Sequence, residues 1–389
     1  MRFAFVTDEL PRPGAAGHLA FNHAILDWLR EAGHEVTVLL AGTRLAFPAE
    51  RYGLTDVAGR HIRLFRQRVL PGSPGAILAG LARGALHRLP AALRSGLRAN
   101  LHQADVVLGR FCSAEDASWC AGWIAAHRPD AVLIDTIFRT PVLRRPELAG
   151  MRTVLVAHDV FHLRHRALMS AGYRVQPARL TREDEAACAG LARHIAAIQP
   201  AEARLLAELC PASDVFTAGM PAIPCPPPPD RYQASGRLVF VGSASLPNLD
   251  GLRWFFGEVW PRLKDSGVSL DLIGDCGAAL RDLPSGVQRL GRVPNLAPVL
   301  HRARLAIAPL RVGSGLKIKL LDYARHGLLT VATPASLDGF AVEDDFPFLP
   351  ASSAAGFAAA IRKALGQPAP AEPARALAYV ARHYGREAS

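Results

Sequence analysis

Two lysines separated by one residue, Lys317 and Lys319, follow the run Gly313-Ser314-Gly315 in the stretch RVGSGLKIKLLDYARHG, residues 311–327. Apolar spacing beyond the glycines predicts a helix from about Leu316 to His326, ended by Gly327. Both lysines then fall in its first turn, where the backbone dipole is already positive and each added cation costs up to ~1 kcal/mol. An anion bound at that turn reverses the sign of the argument. A phosphate there receives the free amides of the helix start, the Ser314 hydroxyl and two ammonium groups, and Gly313 and Gly315 let the backbone approach it closely. Asp322, about one turn past Lys319, is placed to accept hydrogen bonds from a ribose diol. The bland alternative is a solvated turn with two unbound lysines. The G-x-x-x-x-G-K-[ST] spacing of a Walker loop is absent, and no G-x-G-x-x-G follows either first strand, which weakens a dinucleotide oxidoreductase.

Other polar residues end apolar strands. Asp135 follows AVLI, and His158-Asp159 follow TVLVA. The loop Gly14–His18, with Gly17 and His18 at its close, occupies the equivalent point after the first strand and is expected to line the acceptor or phosphate side. His158, His162 and His165 beside Asp159 raise zinc, but the H-E-x-x-H pattern is absent, so no metal is expected there. A loop-capping role for Asp135 competes with a catalytic one.

The elements that must carry these residues alternate regularly. FAFVT (3–7), EVTVLL (35–40), DVVLG (105–109), AVLID (131–135), TVLVAH (153–158) and HIAAIQ (194–199) read as strands, with a helix from His18 to Ala32 closed by Gly33. The segment MPAIPCPPPPDRYQASG then cannot continue a helix or a central strand. The rhythm restarts at RLVFVG (237–242), a helix over 249–263, LDLIG, VQRLG, LAIAPL and LTVAT. Continuous apolar strands between helices predict parallel sheets covered on both faces. The expected organisation is α/β: a Rossmann-like domain over 1–222, a Pro-rich linker over 223–236 acting as a hinge, a second Rossmann-like domain over 237–370, and a tail over 371–389 with room to return to the first domain.

With 389 residues, half of them hydrophobic, the chain can bury two sizeable cores. Its net charge of +11 points to an anionic partner. The stretch 70–103 intersperses Arg83, His87, Arg88, Arg94 and Arg98 with Leu and Ala, a pattern that suits an ordinary helix pair or an anionic lipid surface. Nucleic acid is disfavoured, because no zinc-finger spacing or RNA-binding signature accompanies the charge. Six cysteines without a CxxC argue for reduced thiols in a cytoplasmic protein, not for disulfides or zinc. The amino terminus reads directly as a strand rather than a signal peptide, and no apolar run approaches a membrane span.

The stretch APLRVGSGLKIKLLDYARHGLLTVATPASLDGF (308–340) closely resembles the donor-binding segment of GT-B glycosyltransferases of retaining family 4. FVGSASLPNLDGLRWFFGEVWPRL (240–263) resembles the first βα unit of the carboxyl-terminal domain in a polysaccharide-associated subset, as do VLVAHDVFHLRHRAL and EDEAACAGLARHIAAIQPAEARLL elsewhere. The resemblance implies a GT-B fold. It also implies transfer of a sugar from a nucleotide-diphosphate donor to a glycan or lipid-linked acceptor, with no cofactor required. It assigns the diphosphate to Gly315, Lys317 and Lys319, with Gly242 and Ser243 beneath, the ribose to Asp322 and the base to Arg292 and Val293. Asp135 falls where relatives often present a His or Asp to the sugar. One departure stands out: the E-x7-E signature keeps its second acid as Asp322, but no Glu lies in 309–316. A sugar-nucleotide epimerase of the same fold and a non-catalytic nucleotide- or glycan-binding protein therefore stay open beside a transferase.

Overall fold

The computed structural model describes residues 1–12, 17–42, 49–50, 56–66, 68–75, 77–78, 81–82, 85, 106–228, 236–313, 315–343, 345–366 and 372–385. The chain divides into two compact units, Met1–Ala218 and Gly219–Ser389.

The first unit is built on a seven-stranded parallel sheet. Its strands are β1 (Arg2–Thr7), β2 (Glu35–Leu40), β3 (Asp56–Ala58), β4 (Ala131–Asp135), β5 (Thr153–Ala157), β6 (His194–Ala197) and β7 (Asp214–Thr217). Their spatial order is β7-β6-β5-β4-β1-β2-β3. Helices α1 (Gly17–Glu31), α2 (Ala114–His127), α3 (Phe161–Ser170), α4 (Arg182–Ala189) and α5 (Pro200–Leu209) connect them. Every residue of β4 is buried, as expected for a central strand covered on both faces. The chain order reverses between β1 and β4, and in open α/β sheets ligands bind past the strand ends at such a switch point. Thr7 and Asp135 end those two strands.

The strand expected over 105–109 does not join this sheet. Of its described residues, 106–109, Val106 and Val107 form a strand, and they pair with Val175–Gln176. Gly109 then packs so tightly on the Phe138 ring that a Cβ would lie 2.2 Å from it, leaving no room for a side chain or a neighbouring strand.

The second unit repeats the plan. Strands β8 (Arg237–Val241), β9 (Ser269–Ile273), β10 (Val287–Gly291), β11 (Leu305–Ala308), β12 (Thr330–Ala332) and β13 (Phe348–Pro350) form a parallel sheet in the order β10-β9-β8-β11-β12-β13. Its switch point lies between β8 and β11. Alternate residues of β8 serve the two faces: Leu238 and Phe240 pack with Leu249, Phe255 and Phe357, and Val239 packs with Ile273 and Tyr323. The helix expected over 249–263 starts earlier, as α6 (Leu246–Trp254), and runs on through a π turn at Phe255–Val259 into a 3-10 stretch at Trp260–Ser266. Pro261, which offers no amide to the ladder, accounts for the change of pitch.

Three further helices matter below: α7 (Ile318–Arg325), α8 (Ala354–Gly366) and α9 (Glu372–Tyr384). The last residues expected in the first domain, 219–222, and the start of the expected linker belong to this unit. The Ala222 amide donates to the Tyr384 carbonyl and the Cys225 amide to the Arg325 carbonyl, each at 2.7 Å. Those carbonyls sit at helix carboxyl ends, where no intrahelical donor remains, and the sparse amides of the proline run satisfy them. The expected tail is largely α9, which packs on α7 with Ala376, Tyr379 and Val380 fully buried.

Candidate functional site

In the second unit the switch point brings two loops together. The β8 loop opens with Gly242, whose amide donates to the Ile273 carbonyl at 2.9 Å. Gly274 sits beside it at φ +91°, and a Cβ there would come within 2.3 Å of the Gly242 carbonyl oxygen. A Cβ on Gly242 would itself meet the Phe240 ring at 2.7 Å and the Asn248 amide nitrogen at 2.9 Å. Two facing glycines are thus required for these strand ends to touch.

The β11 loop carries Gly313 and Gly315 at φ +127° and +74°, conformations open chiefly to glycine. Ser314 lies outside the described residues. Helix α7 begins at Ile318, two residues later than the sequence predicts, so Lys317 is the cap and only Lys319 is helical. The Lys317 ammonium folds back onto the Gly315 carbonyl at 2.5 Å. Lys319 and Tyr323, four residues apart, share the face turned to β8. The Val241 amide donates to the Tyr323 hydroxyl at 2.7 Å. The Lys319 ammonium donates to Asn248 Oδ1 at 2.6 Å and lies 4.2 Å from the centre of the Phe240 ring. Asn248 Nδ2 in turn donates to the Ser243 carbonyl at 3.0 Å. One amide side chain therefore ties the glycine loop to the lysine. Burial draws the Lys319 pKa down to about 7, and the nearby Lys317 charge adds to the effect.

The remaining candidates have separate settings. Burial pushes the Asp322 carboxyl up to about 6, with Arg325 at 3.9 Å opposing. Arg292, at the end of β10, forks onto Asp275 at 2.9 and 2.5 Å. Val293 packs against the core cluster behind β8. Arg311 forms a second fork, to Asp250 at 3.0 and 2.6 Å, and anchors the β11 loop to α6.

In the first unit the structure joins Asp135 and His158. His158 Nε2 lies 2.8 Å from Asp135 Oδ1, and the Thr7 hydroxyl donates to Asp135 Oδ2 at 2.7 Å. Three adjacent strands, β1, β4 and β5, thereby converge on one buried carboxylate. Burial works to raise its pKa, but hydrogen bonds from His158 and Thr7 and the nearby imidazoles outweigh it and hold the group at about 2. His18, at the start of α1, and Phe21 both meet the His158 ring edge-on, at 6.3 and 5.3 Å. Gly17 begins α1, and Gly14 lies outside the described residues.

The other histidines of this region have their own partners. His162 sits on Glu185, whose buried carboxylate also accepts the Phe161 and His162 amides at 2.9 and 2.7 Å and so caps α3. His165 faces the Pro177 carbonyl at 3.1 Å. Sequence reasoning missed Thr7, Asn248 and Tyr323 as positioning residues. Thr7 was legible as a polar residue closing an apolar strand, but nothing in the sequence marks the partners of Tyr323.

Residues 235–367 match the family model of glycosyl transferases group 1. The second unit carries a group 1 glycosyltransferase domain. The whole chain has the GT-B fold. Sucrose-phosphate synthase from Thermosynechococcus elongatus superposes with a TM-score of 0.66 at 14% identity, covering 100% of this chain and 96% of that one. Anabaena HepE, solved with UDP and glucose, gives 0.61 at 13% identity over 99% and 96%. WaaG, a glycosyltransferase involved in lipopolysaccharide biosynthesis, gives 0.59 at 15% identity over 97% and 95%. No curated protein matches the chain by sequence. Among the described residues no helix is long and apolar enough to cross a membrane.

Proposed function

We propose that the protein moves a sugar from a nucleoside-diphosphate donor to a glycan or lipid-linked acceptor of a surface polysaccharide, with retention at the anomeric carbon. The observation that carries the donor half is Lys319, held by Asn248 and Phe240 beside the Gly242 loop at the switch point of the second sheet. The leaving diphosphate develops negative charge as the glycosidic bond breaks. Lys319, Lys317, the first amides of α7 and the Gly313–Gly315 backbone are the groups that would neutralise it. Asp322 would take the ribose, and Arg292 and Val293 would lie by the base.

In the first unit the Asp135–His158 pair would serve the sugar or acceptor. Asp135 fixes the imidazole orientation through Nε2, which leaves Nδ1 as the ring atom to meet a substrate hydroxyl. That Nδ1 is buried and has no hydrogen-bond partner among the described residues. The complex of HepE with UDP and glucose supports a uridine donor, and the role of WaaG in lipopolysaccharide biosynthesis supports a polysaccharide product. Titration calorimetry with UDP, GDP and their sugars tests the donor half. Binding should vanish in the double variant Lys317→Ala, Lys319→Ala, and unchanged affinity there sinks the assignment.

A second reading concerns the acceptor's location. Ile77, Leu78 and Leu81 are 43%, 67% and 58% exposed at the head of the basic stretch 70–103, whose Arg83, His87, Arg88, Arg94 and Arg98 lie outside the described residues. Exposed apolar side chains beside arginines suit an anionic lipid surface. Salt-sensitive sedimentation of the full chain with acidic liposomes tests it. A chain that stays in the supernatant at low salt refers the acceptor to solution.

A further inference from the structure

Five of the six cysteines are buried, and Cys225 is the exception. It lies in the proline run, and the hydrogen bond that its backbone N–H donates to the Arg325 carbonyl sets it against the carboxyl end of α7. His326 caps that helix end and is 4% exposed. His301, the carboxyl-terminal cap of the short helix Ala297–Leu300, completes a cluster: Cys225 Sγ and one ring nitrogen of each histidine lie within 4.8 Å of one another. His326 Nδ1 is 3.0 Å from His301 Nε2, and that same nitrogen is 3.2 Å from the Cys225 carbonyl oxygen.

We propose that Cys225, His301 and His326 form a transition-metal site that takes Zn²⁺ and clips the proline run to α7. Tetrahedral zinc holds sulfur at ~2.3 Å and nitrogen at ~2.0–2.1 Å, so its ligand atoms stand roughly 3.3–3.6 Å apart. The two nitrogens are already at about that separation, and a contraction on the order of 1 Å, within reach of a Cys χ1 adjustment, brings in the sulfur. One thiolate and two imidazoles prefer zinc to magnesium or calcium, which favour oxygen ligands. The end of α7 also carries the negative pole of its dipole, which favours a cation there.

Binding removes the thiol proton of Cys225. It also needs lone pairs on His301 Nε2 and His326 Nδ1, so the ring that holds the shared proton gives it up to solvent and takes one back at its far nitrogen. Both imidazoles stay neutral, protonated at His301 Nδ1 and His326 Nε2, and the thiol proton is the only one released in net. A water is left for the fourth position. The site is independent of the donor residues, since Lys319 stands seven residues earlier on the same helix, about 10 Å along its axis.

The test uses the full chain, stripped with a chelator and titrated with Zn²⁺ against a chromophoric competitor, and with Co²⁺ under an absorbance spectrometer. The expected result is about one metal per chain, with tetrahedral d–d bands and a thiolate charge-transfer band for Co²⁺. Because the other cysteines are buried, that band reports Cys225, and Cys225→Ser should abolish it. Affinity should fall by more than ~100-fold in Cys225→Ser and in His301→Asn, beyond the loss usual for an outer-shell partner. Both variants touch half-buried positions, and their thermal melts without metal, compared with that of stripped wild type, show whether folding survives. A stripped wild type that takes up no zinc at micromolar free metal overturns the site and leaves a plain imidazole–imidazole hydrogen bond. Zinc binding unchanged in both variants overturns it equally.

Discussion

The Lys319 ammonium rests on the Asn248 side-chain oxygen at 2.6 Å, over the face of Phe240, and no carboxylate among the described residues shifts its titration. A neutral amide and an aromatic ring hold a cation in place without cancelling its charge. The lysine is thus positioned in advance of any anion and keeps its Coulombic attraction for one. The cost of that arrangement appears as its depressed pKa.

Lys319→Met should therefore separate stability from binding. It removes a partly desolvated charge while retaining a chain of similar length, and we expect the apo protein to melt ~2–4 °C higher, the shift that about 1 kcal/mol gives a domain of this size. The stabilisation that UDP confers on wild type should disappear in the same variant. Calorimetric melts with and without UDP decide both points, and a variant that still gains the full wild-type increment removes Lys319 from the donor site.

Two shifted groups set a pH window for nucleotide binding. Lys319 loses its proton above about 7 and Asp322 gains one below about 6. Diphosphate binding favours the charged lysine, so affinity should fall as pH rises past 7 and binding there should take up a proton. Ribose recognition needs the ionised carboxylate, so affinity should also fall below 6. Isothermal titration of UDP in buffers of different ionisation enthalpy reads the proton count directly. A flat profile from pH 5 to 9 would contradict both assignments.

Asp135→Asn should leave the first sheet folded at neutral pH and lower turnover by roughly 10²–10⁴-fold, the contribution of the positioned acid or base that it would disable. Its carboxyl is held at about 2 against an ordinary 3.8. A depressed carboxylate contributes stability that is complete above its unfolded pKa and is lost as pH falls through the folded one. Wild type should accordingly lose stability between about pH 4 and 2, and the Asn variant should lose less over the same interval. Urea melts at stepped pH check this.

Gly274→Ala is expected to be among the most damaging single changes in the second unit. It places a methyl 2.3 Å from the Gly242 carbonyl oxygen at a backbone angle of +91°, so strain and clash add. A loss of several kcal/mol, read in denaturant melts, should accompany loss of nucleotide binding. Near-wild-type stability would mean the two strand ends do not need their close approach.

How far the sequence carries this picture differs between its parts. The two sheets were legible because β4 and β11 are unbroken apolar runs, and the phosphate loop because Gly313, Gly315, Lys317 and Lys319 sit together. Strands β3, β7 and β13 were not, since three or four residues give no periodicity. Asp135 and His158 were each readable as a polar strand end. Their contact was not, because it depends on β4 and β5 lying side by side in register, Asp135 opposite Val156. The Cys225–His301–His326 cluster has no readable spacing at all, as its members are 76 and 25 residues apart in the chain.

The stitching of Ala222 to Tyr384 has a consequence for biosynthesis. Met1–Ala218 can reach its final form while the ribosome is still reading the second half, as domains made first usually do. The strands of Gly219–Ser389, by contrast, emerge well before their last helix, and α7 stays bare of α9 until residue 384 has left the exit tunnel. A translating ribosome stalled just short of that point would display a nascent second sheet with an exposed helix face. It is over this interval that a chaperone would have most to cover.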